Sequence, residues 1–411
     1  MTDILPAPDI ARTALAPVVA HALDDELALH VFATAAWSHL AEPGDGVAGR
    51  IVGALGPATA LHEVVTGGRD GAARNAAELT AQQWKDAIAR WRPRWNQRAV
   101  LDNLDVARIA RIRLLTPEDD QWPTALADLG VHAPLCLWVR GDPGALSLPS
   151  PRAAIVGARA ATAYGEHVAA ELAGELVARG VVVVSGAAYG IDGVAHRVAL
   201  AAGGITAAVL AGGVERPYPT GHTDLIGRIA ATGAVASEVP PGSAPTRWRF
   251  LQRNRLIAAL SEATVVVEAG WRSGSLNTAG HAAALGRPVG AVPGPVTSAA
   301  SAGCHRLLRE FDARCITSAD DVLELLGVPT GSTSWLPQTL FDMPDSTGRT
   351  DDSTRISDAM SVRSWRRTED IARRAGMSAD DTSAILGLLE IEGVVHRGQA
   401  GWRRAPAPGR P

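Results

Sequence analysis

The chain has 411 residues, 46% of them hydrophobic, enough for more than one domain and at least one sizeable core, and its formal net charge is −4. Three cysteines, Cys136, Cys304 and Cys315, form no CxxC pair or Cys/His cluster, which argues against a disulfide scaffold and structural zinc and fits a reducing cytoplasm. The N-terminus has no basic region followed by an apolar core, and no uncharged apolar run approaches the roughly 18 residues of a membrane span, so a cytoplasmic protein off the membrane is expected.

In chain order, Glu26 to Arg111 reads as mostly helical. GALGPATA at Gly53 to Ala60 has the look of a helix-hairpin-helix turn, but without the usual GxG spacing plain helix packing is the stronger reading. Gln121 to Asp142 leads onward, its prolines breaking any long helix. From Arg152 to about Gly327, five short apolar runs alternate with amphipathic segments: Ala154 to Val156, Val181 to Ser185, Ile205 to Leu210, Thr264 to Glu268 and Pro288 to Val292. Their continuous apolarity predicts strands covered on both faces. Between the first two, Val168, Leu172, Leu176 and Val177 recur at helical spacing and Gly180 follows as a stop. The repeat predicts an α/β fold with a Rossmann-like, doubly wound, mainly parallel sheet. Val328 to Ser361 turns rich in Ser, Thr, Asp, Pro and Gly and reads as a flexible linker. Beyond it, a helix Thr368 to Ala375, a turn at Gly376, a helix from an Ser378 N-cap to Glu392 and the segment VVHRGQAGWRR make a winged-helix pattern. Expected domains are therefore 1–120 (helical), 121–327 (sheet), 328–361 (linker) and 362–411 (winged helix). The second helix of the last unit carries Asp380, Asp381, Glu390 and Glu392 without Arg or Lys. That suits protein contact better than a DNA groove, although the wing and first helix hold arginines.

Cations concentrate at one place. Arg247, Arg249, Arg253 and Arg255 fall within nine residues that contain no acid, and Arg272 follows the next strand. Lys85 is the sole lysine among 39 basic residues, so arginine abundance alone reflects a GC-rich genome; its clustering is the signal. In a parallel sheet the loops leaving the carboxyl ends gather at one edge. Here those loops are GARAATAYG, SGAAYGID, AGGVERPYP, the arginine segment, GWRSGSLNTAG and PGPVTSAASAG, all with small residues that suit close approach of phosphate. Read as extended, the arginine segment puts Trp248 and Phe250 on one side and Arg247 and Arg249 on the other, as base stackers or as plugs that hold the loop. Arg253 and Arg255 have a second reading, as structural ion-pair partners of Glu238 or Glu268.

Small-nucleotide chemistry finds little support. A Walker A loop needs GK[ST], and Lys85 lies outside the sheet. Gly157-Ala158-Arg159 puts a bulky cation where a dinucleotide fingerprint needs glycine. Asp192 and His196, four apart, share a helix face and could act as acid and base, but helix-terminus charge and a local hydrogen bond explain them better. No GxSxG elbow is present.

In order along the chain stand VGAR at Val156, YG at Tyr164, SGAAYGIDGVAH at Ser185, YP at Tyr218, SEVP at Ser237, RNRLIAALS at Arg253 and a VVVEA strand with SGSLNTA. From about Gln121 to Gly327 this resembles the DNA-processing protein A (DprA/Smf) family. The resemblance implies a Rossmann-like domain that binds single-stranded DNA at the loop edge, forms a homodimer, helps load the RecA recombinase in natural transformation, and uses neither catalysis nor a cofactor. It places Arg159 as the DNA-contacting arginine of the VGAR segment, Arg253 and Arg255 in the RNR segment, and Tyr218 and Pro219 in the YP loop. The full candidate set adds Gly157, Ser185, Gly186 and Gly213 from the first loops, Arg247, Arg249 and Asn254 from the arginine segment, and Arg272, Gly274, Ser275 and Thr278 after the next strand. Ala158, His222 and His305 depart from the family's serine and asparagines. Two alternatives stand: a phosphoribohydrolase-like nucleotide enzyme, against which His281 occupies the place of the needed glutamate, and a recombinase adaptor with incidental DNA contact.

Overall fold

The computed structural model describes residues 4–67, 71–329, 352–361, 364–391 and 393–405. They divide into two compact units, Met1–Thr330 and Gly331–Pro411.

The first unit is built on a nine-stranded sheet: β1 (Ile112–Leu115), β2 (Leu137–Gly141), β3 (Arg152–Val156), β4 (Val182–Ser185), β5 (Thr206–Val209), β6 (Ala234–Ser237), β7 (Ala263–Val266), β8 (Val289–Ala291) and β9 (Arg314–Cys315), in the spatial order β1-β2-β6-β5-β4-β3-β7-β8-β9. All pairings from β6 to β9 are parallel. Only β1 with β2, and β2 with β6, run antiparallel. The chain winds outward from β3 to β6, returns to β7 beside β3, and winds outward again, so the order reverses between β3 and its two neighbours. The doubly wound expectation is met. Four strands lay outside the predicted five: β6 is short and alanine-rich, β9 has two residues, and β1 and β2 lie upstream of the repeat.

Alternation along the strands sorts their side chains to two faces. Ala153 and Ile155 of β3 pack with Val183 and Val265 against Ala169, Leu172, Ala173 and Leu176 of the helix Ala163–Ala178. Ala154 and Val156 point the other way, onto a cluster with Leu256 and Ile257 of the helix Arg247–Ala259. The helix Ala163–Ala178 starts where Thr162 accepts the Gly165 amide, and Gly180, at φ 76°, turns the chain into β4.

The N-terminal helices share the unit with the sheet. Trp37, Trp91 and Phe32 belong to one buried cluster with Trp138 of β2 and Val235 of β6. At the GALGPATA turn the helices Gly46–Leu55 and Pro57–Thr66 meet at Gly56, whose φ of 74° favours glycine, while Ala60 and Leu61 are fully buried. Among the described residues no helix is long and apolar enough to cross a membrane.

In the second unit the helices Asp352–Ala359, Thr368–Ala375 and Ala379–Ile391 pack with a hairpin of β10 (Val395–Gly398) and β11 (Gly401–Arg404) around Ile356, Ile371, Leu386 and Trp402. Ser378 Oγ accepts the Asp381 amide at 3.1 Å, the expected N-cap. The expected linker needs correction at its end: Asp352–Ala359 is helical, because Ile356 supplies an apolar side chain that the unit buries completely. Residues 330–351 of that linker, with 362, 363 and Glu392, lie outside the described residues.

Arg255, 3% exposed, ties the unit together: its guanidinium donates to Glu238 at 2.7 Å, to the His132 carbonyl at 3.1 Å and to the Gln252 carbonyl at 3.2 Å. Removing one partner strands a buried charge. Arg255→Ala is therefore expected to lower stability by about 3 kcal/mol in urea denaturation followed by fluorescence.

Candidate nucleic-acid interface

Where strand order reverses, the carboxyl ends of β3 and β7 open onto a cleft of about 840 Å³. Gly157, Ala158, Arg159 and Ala160 line it after β3; Gly270, Arg272, Ser273, Gly274 and Ser275 line it after β7. The helix Arg247–Ala259 forms a third wall.

That helix corrects the extended reading of the arginine segment. Thr246 Oγ1 accepts the Arg249 amide at 3.2 Å and starts the helix directly at Arg247. With about 100° rather than 180° between residues, Arg247, Phe250, Leu251, Asn254 and Ile257 share the face that lines the cleft. Trp248 and Arg249 turn away from it. Arg249 donates to Glu42 at 2.9 and 3.0 Å, and Arg255 pairs with Glu238, so neither lines the cleft. The structural reading of Arg255 with Glu238 is met. Glu268 is instead held by the Thr162 amide and hydroxyl, at 2.9 and 2.6 Å.

Of the sixteen candidate residues, Gly157, Arg159, Tyr218, Arg247, Arg253, Asn254, Arg272, Gly274, Ser275 and Thr278 meet in the cleft. Ser185, Gly186, Gly213, Pro219, Arg249 and Arg255 do not line it. Ser185 Oγ is buried and donates to the Ile155 carbonyl at 2.7 Å, fastening β4 to β3. Gly213 donates its amide to the Ser243 carbonyl at 2.9 Å, and Pro219 follows a cis peptide bond.

The cations differ in kind. Arg159, Arg247 and Arg272 are exposed. Arg253 is 6% exposed and spends its donors inside: Nη1 reaches the Gly186 carbonyl at 2.8 Å and the Val209 carbonyl at 2.6 Å, while Nε reaches Asn254 Oδ1 at 3.1 Å. This guanidinium occupies the space a side chain at Gly186 would need, which explains the glycine. Burial lowers its pKa to about 10, with Asp192 opposing the fall, so it stays cationic at neutral pH. Burial likewise raises the Asp192 pKa, against the pull of Arg253 and of amides including that of Gly186.

Phe250 was left between stacker and plug by the sequence, and the structure sets it inside the site. Arg159 and Arg253 lie 5.0 and 5.9 Å from its ring centre, and Tyr218 packs against it at 5.6 Å with the planes inclined by 54°. Leu251, Thr246 and Pro245 also line the cleft without having been singled out; helical periodicity from Arg247 would have found Leu251.

His196 is no acid–base partner. Thr206 Oγ1 gives its one proton to the Val183 carbonyl at 2.7 Å, so it accepts from His196 Nδ1–H, also at 2.7 Å. Burial lowers its pKa to about 3, helped by His222 and Arg253. Because the unfolded histidine protonates near 6.5, this group favours unfolding as pH falls from 6.5 toward 3. Over that window His196→Gln should flatten the pH dependence of the urea midpoint by the slope of one proton. Among the described residues no cluster of His, Cys, Asp and Glu could hold a metal ion.

Comparison with known proteins agrees with this architecture. Residues 113–327 match the DNA recombination-mediator protein A family, and residues 342–401 match the DprA winged-helix domain. A putative DNA processing protein DprA of Mycobacterium tuberculosis is 47% identical over 315 residues, covering 74% of this chain and 79% of the relative. Protein Smf of Escherichia coli is 34% identical over 297 residues, covering 68% and 76% respectively. The X-ray structure of DNA processing protein A from Streptococcus pneumoniae superposes with a TM-score of 0.53 at 30% identity, covering 72% of this chain and 97% of that one. With a family model matched over residues 113–327 and a relative 47% identical over 79% of its own length, the chain belongs to the DNA recombination-mediator protein A family.

Proposed function

We propose that the cleft holds single-stranded DNA without cutting it, and that the protein, as a homodimer in the cytoplasm, hands that strand to a RecA-type recombinase. The observation that carries this reading is the pairing, in one open cleft of about 840 Å³, of exposed Arg159, Arg247 and Arg272 with the rings of Tyr218 and Phe250. Cations that face solvent suit phosphates, and ring faces suit unpaired bases of any identity. Gly157 and Gly274 add backbone without side chains to its lining. The buried groups beneath the cleft, Arg253 and Asp192, offset one another and are engaged by backbone, which suits a holding role better than proton transfer. Family membership supports the recombinase as recipient. The helix Ala379–Ile391, with Asp380, Asp381 and Glu390 on its surface, supports protein contact for the winged-helix unit.

Salt dependence of oligothymidine affinity, read by fluorescence anisotropy, tests the cleft. Arg159→Ala and Arg272→Ala should each weaken binding and reduce the slope of log K against log salt by about 0.7. Unchanged affinity and slope in both would remove the cleft from the account. Removal of residues 331–411 should leave oligothymidine binding intact while abolishing stimulation of recombinase filament formation; loss of DNA binding instead would move the DNA contact to the winged-helix unit.

A further inference from the structure

A second groove of about 400 Å³ lies around the start of the arginine helix, lined among others by Glu42, Asp45, Arg90, Trp91, Arg94 and Trp248. We infer that this groove is a second subsite for single-stranded DNA, taking the strand as it leaves the cleft, with a base stacked on Trp248 and phosphate drawn to Arg90 and Arg94. The inference rests on the cleft reading above and extends it onto the N-terminal helices.

Three observations carry it. Arg247 and Trp248 are consecutive in one helical turn, yet the first lines the cleft and the second the groove, so a strand that crosses this turn passes from one to the other. Trp248 is 56% exposed although it is a large apolar ring, and it stands free to receive a base. The groove's own arginines are only partly offset. Its lining sets Arg90 and Arg94 against Glu42 and Asp45, but Glu42 is shared between Arg94 at 2.7 Å and Arg249, which lies outside the lining, at 2.9 Å, and Asp45 accepts Arg90 at 3.2 Å. Burial works against ionisation of Glu42, but the hydrogen bonds from Arg249 and Arg94 outweigh it and hold its carboxyl below the ordinary value. The Arg90 side chain is 53% exposed while Asp45 is 14% exposed and keeps the Val47 amide and the Trp91 indole N–H, so phosphate can draw the guanidinium away without leaving Asp45 unpaired. Arg92, in the turn between them, is also exposed.

The test uses the full chain and oligothymidines of about 5 and about 20 nucleotides, at the short end of and beyond the site sizes typical of single-strand grooves. Trp248→Ala should weaken the longer oligomer by about tenfold and leave the shorter one unchanged, and Trp248→Phe should restore most of the loss. Arg90→Ala should lower the salt slope for the longer oligomer alone, by about 0.7. Equal effects of Trp248→Ala on both lengths, or none on either, with binding by the unaltered protein intact, would overturn the second subsite and spare the cleft. Failure of the unaltered protein to bind either oligomer would overturn both.

Discussion

A guanidinium buried beneath the carboxyl edge of a parallel sheet is the constraint on which the rest of the site depends. Arg253 cannot give up its charge at neutral pH, so its surroundings are arranged to receive it: carbonyls of Gly186 and Val209 converge on Nη1, Asn254 accepts from Nε, and Asp192 supplies opposite charge. Each partner then has its own consequence. Gly186 must lack a side chain, Asp192 is held at the start of the helix Ile191–Ala201, and Asn254 reaches on to the Gly274 carbonyl and Asn277 at 3.2 Å. One buried cation thereby fixes the loop after β4 and the last residue of β5 against the two helices that follow β6 and β7.

With that base rigid, the outer arginines separate into two kinds. Arg249 and Arg255 each find a carboxylate and bind the arginine helix to the N-terminal segment and to the end of β6, and Glu238 also accepts the Gly44 amide at 3.3 Å. Arg159, Arg247 and Arg272 stay exposed around the Phe250 and Tyr218 rings. Of the five arginines that cluster in sequence, Arg249, Arg253 and Arg255 are therefore frame, and Arg247 and Arg272 are exposed on the cleft. The division follows from helical geometry rather than from residue type, since Arg247 and Arg249 differ only in which way the helix turns them.

Five of the parallel strands, β3, β4, β5, β7 and β8, were legible because apolar runs covered on both faces carry a strong signal, whereas short β6 and two-residue β9 were not; the cleft was legible because glycine-rich loops must collect at the carboxyl edge. The winged-helix pattern was legible through its caps and hairpin. The conformation of the arginine segment was not. Alternating Trp, Phe and Arg mimicked a strand, while the Thr246 cap and the packing of Leu256 and Ile257 make the segment a helix. Nor could sequence separate the arginines, because Glu42 lies more than two hundred residues away from Arg249. The helix at Asp352–Ala359 was hidden in polar composition, its one strong apolar anchor, Ile356, being too little to show a period.

Amide hydrogen exchange with and without saturating oligothymidine measures the location of the contact most directly. The account predicts slowed exchange in residues 157–160, 246–251 and 270–275, the three walls of the cleft, with the Arg255 region protected equally in both states. Protection confined to the wing at residues 395–404, with no change along the sheet edge, would contradict it.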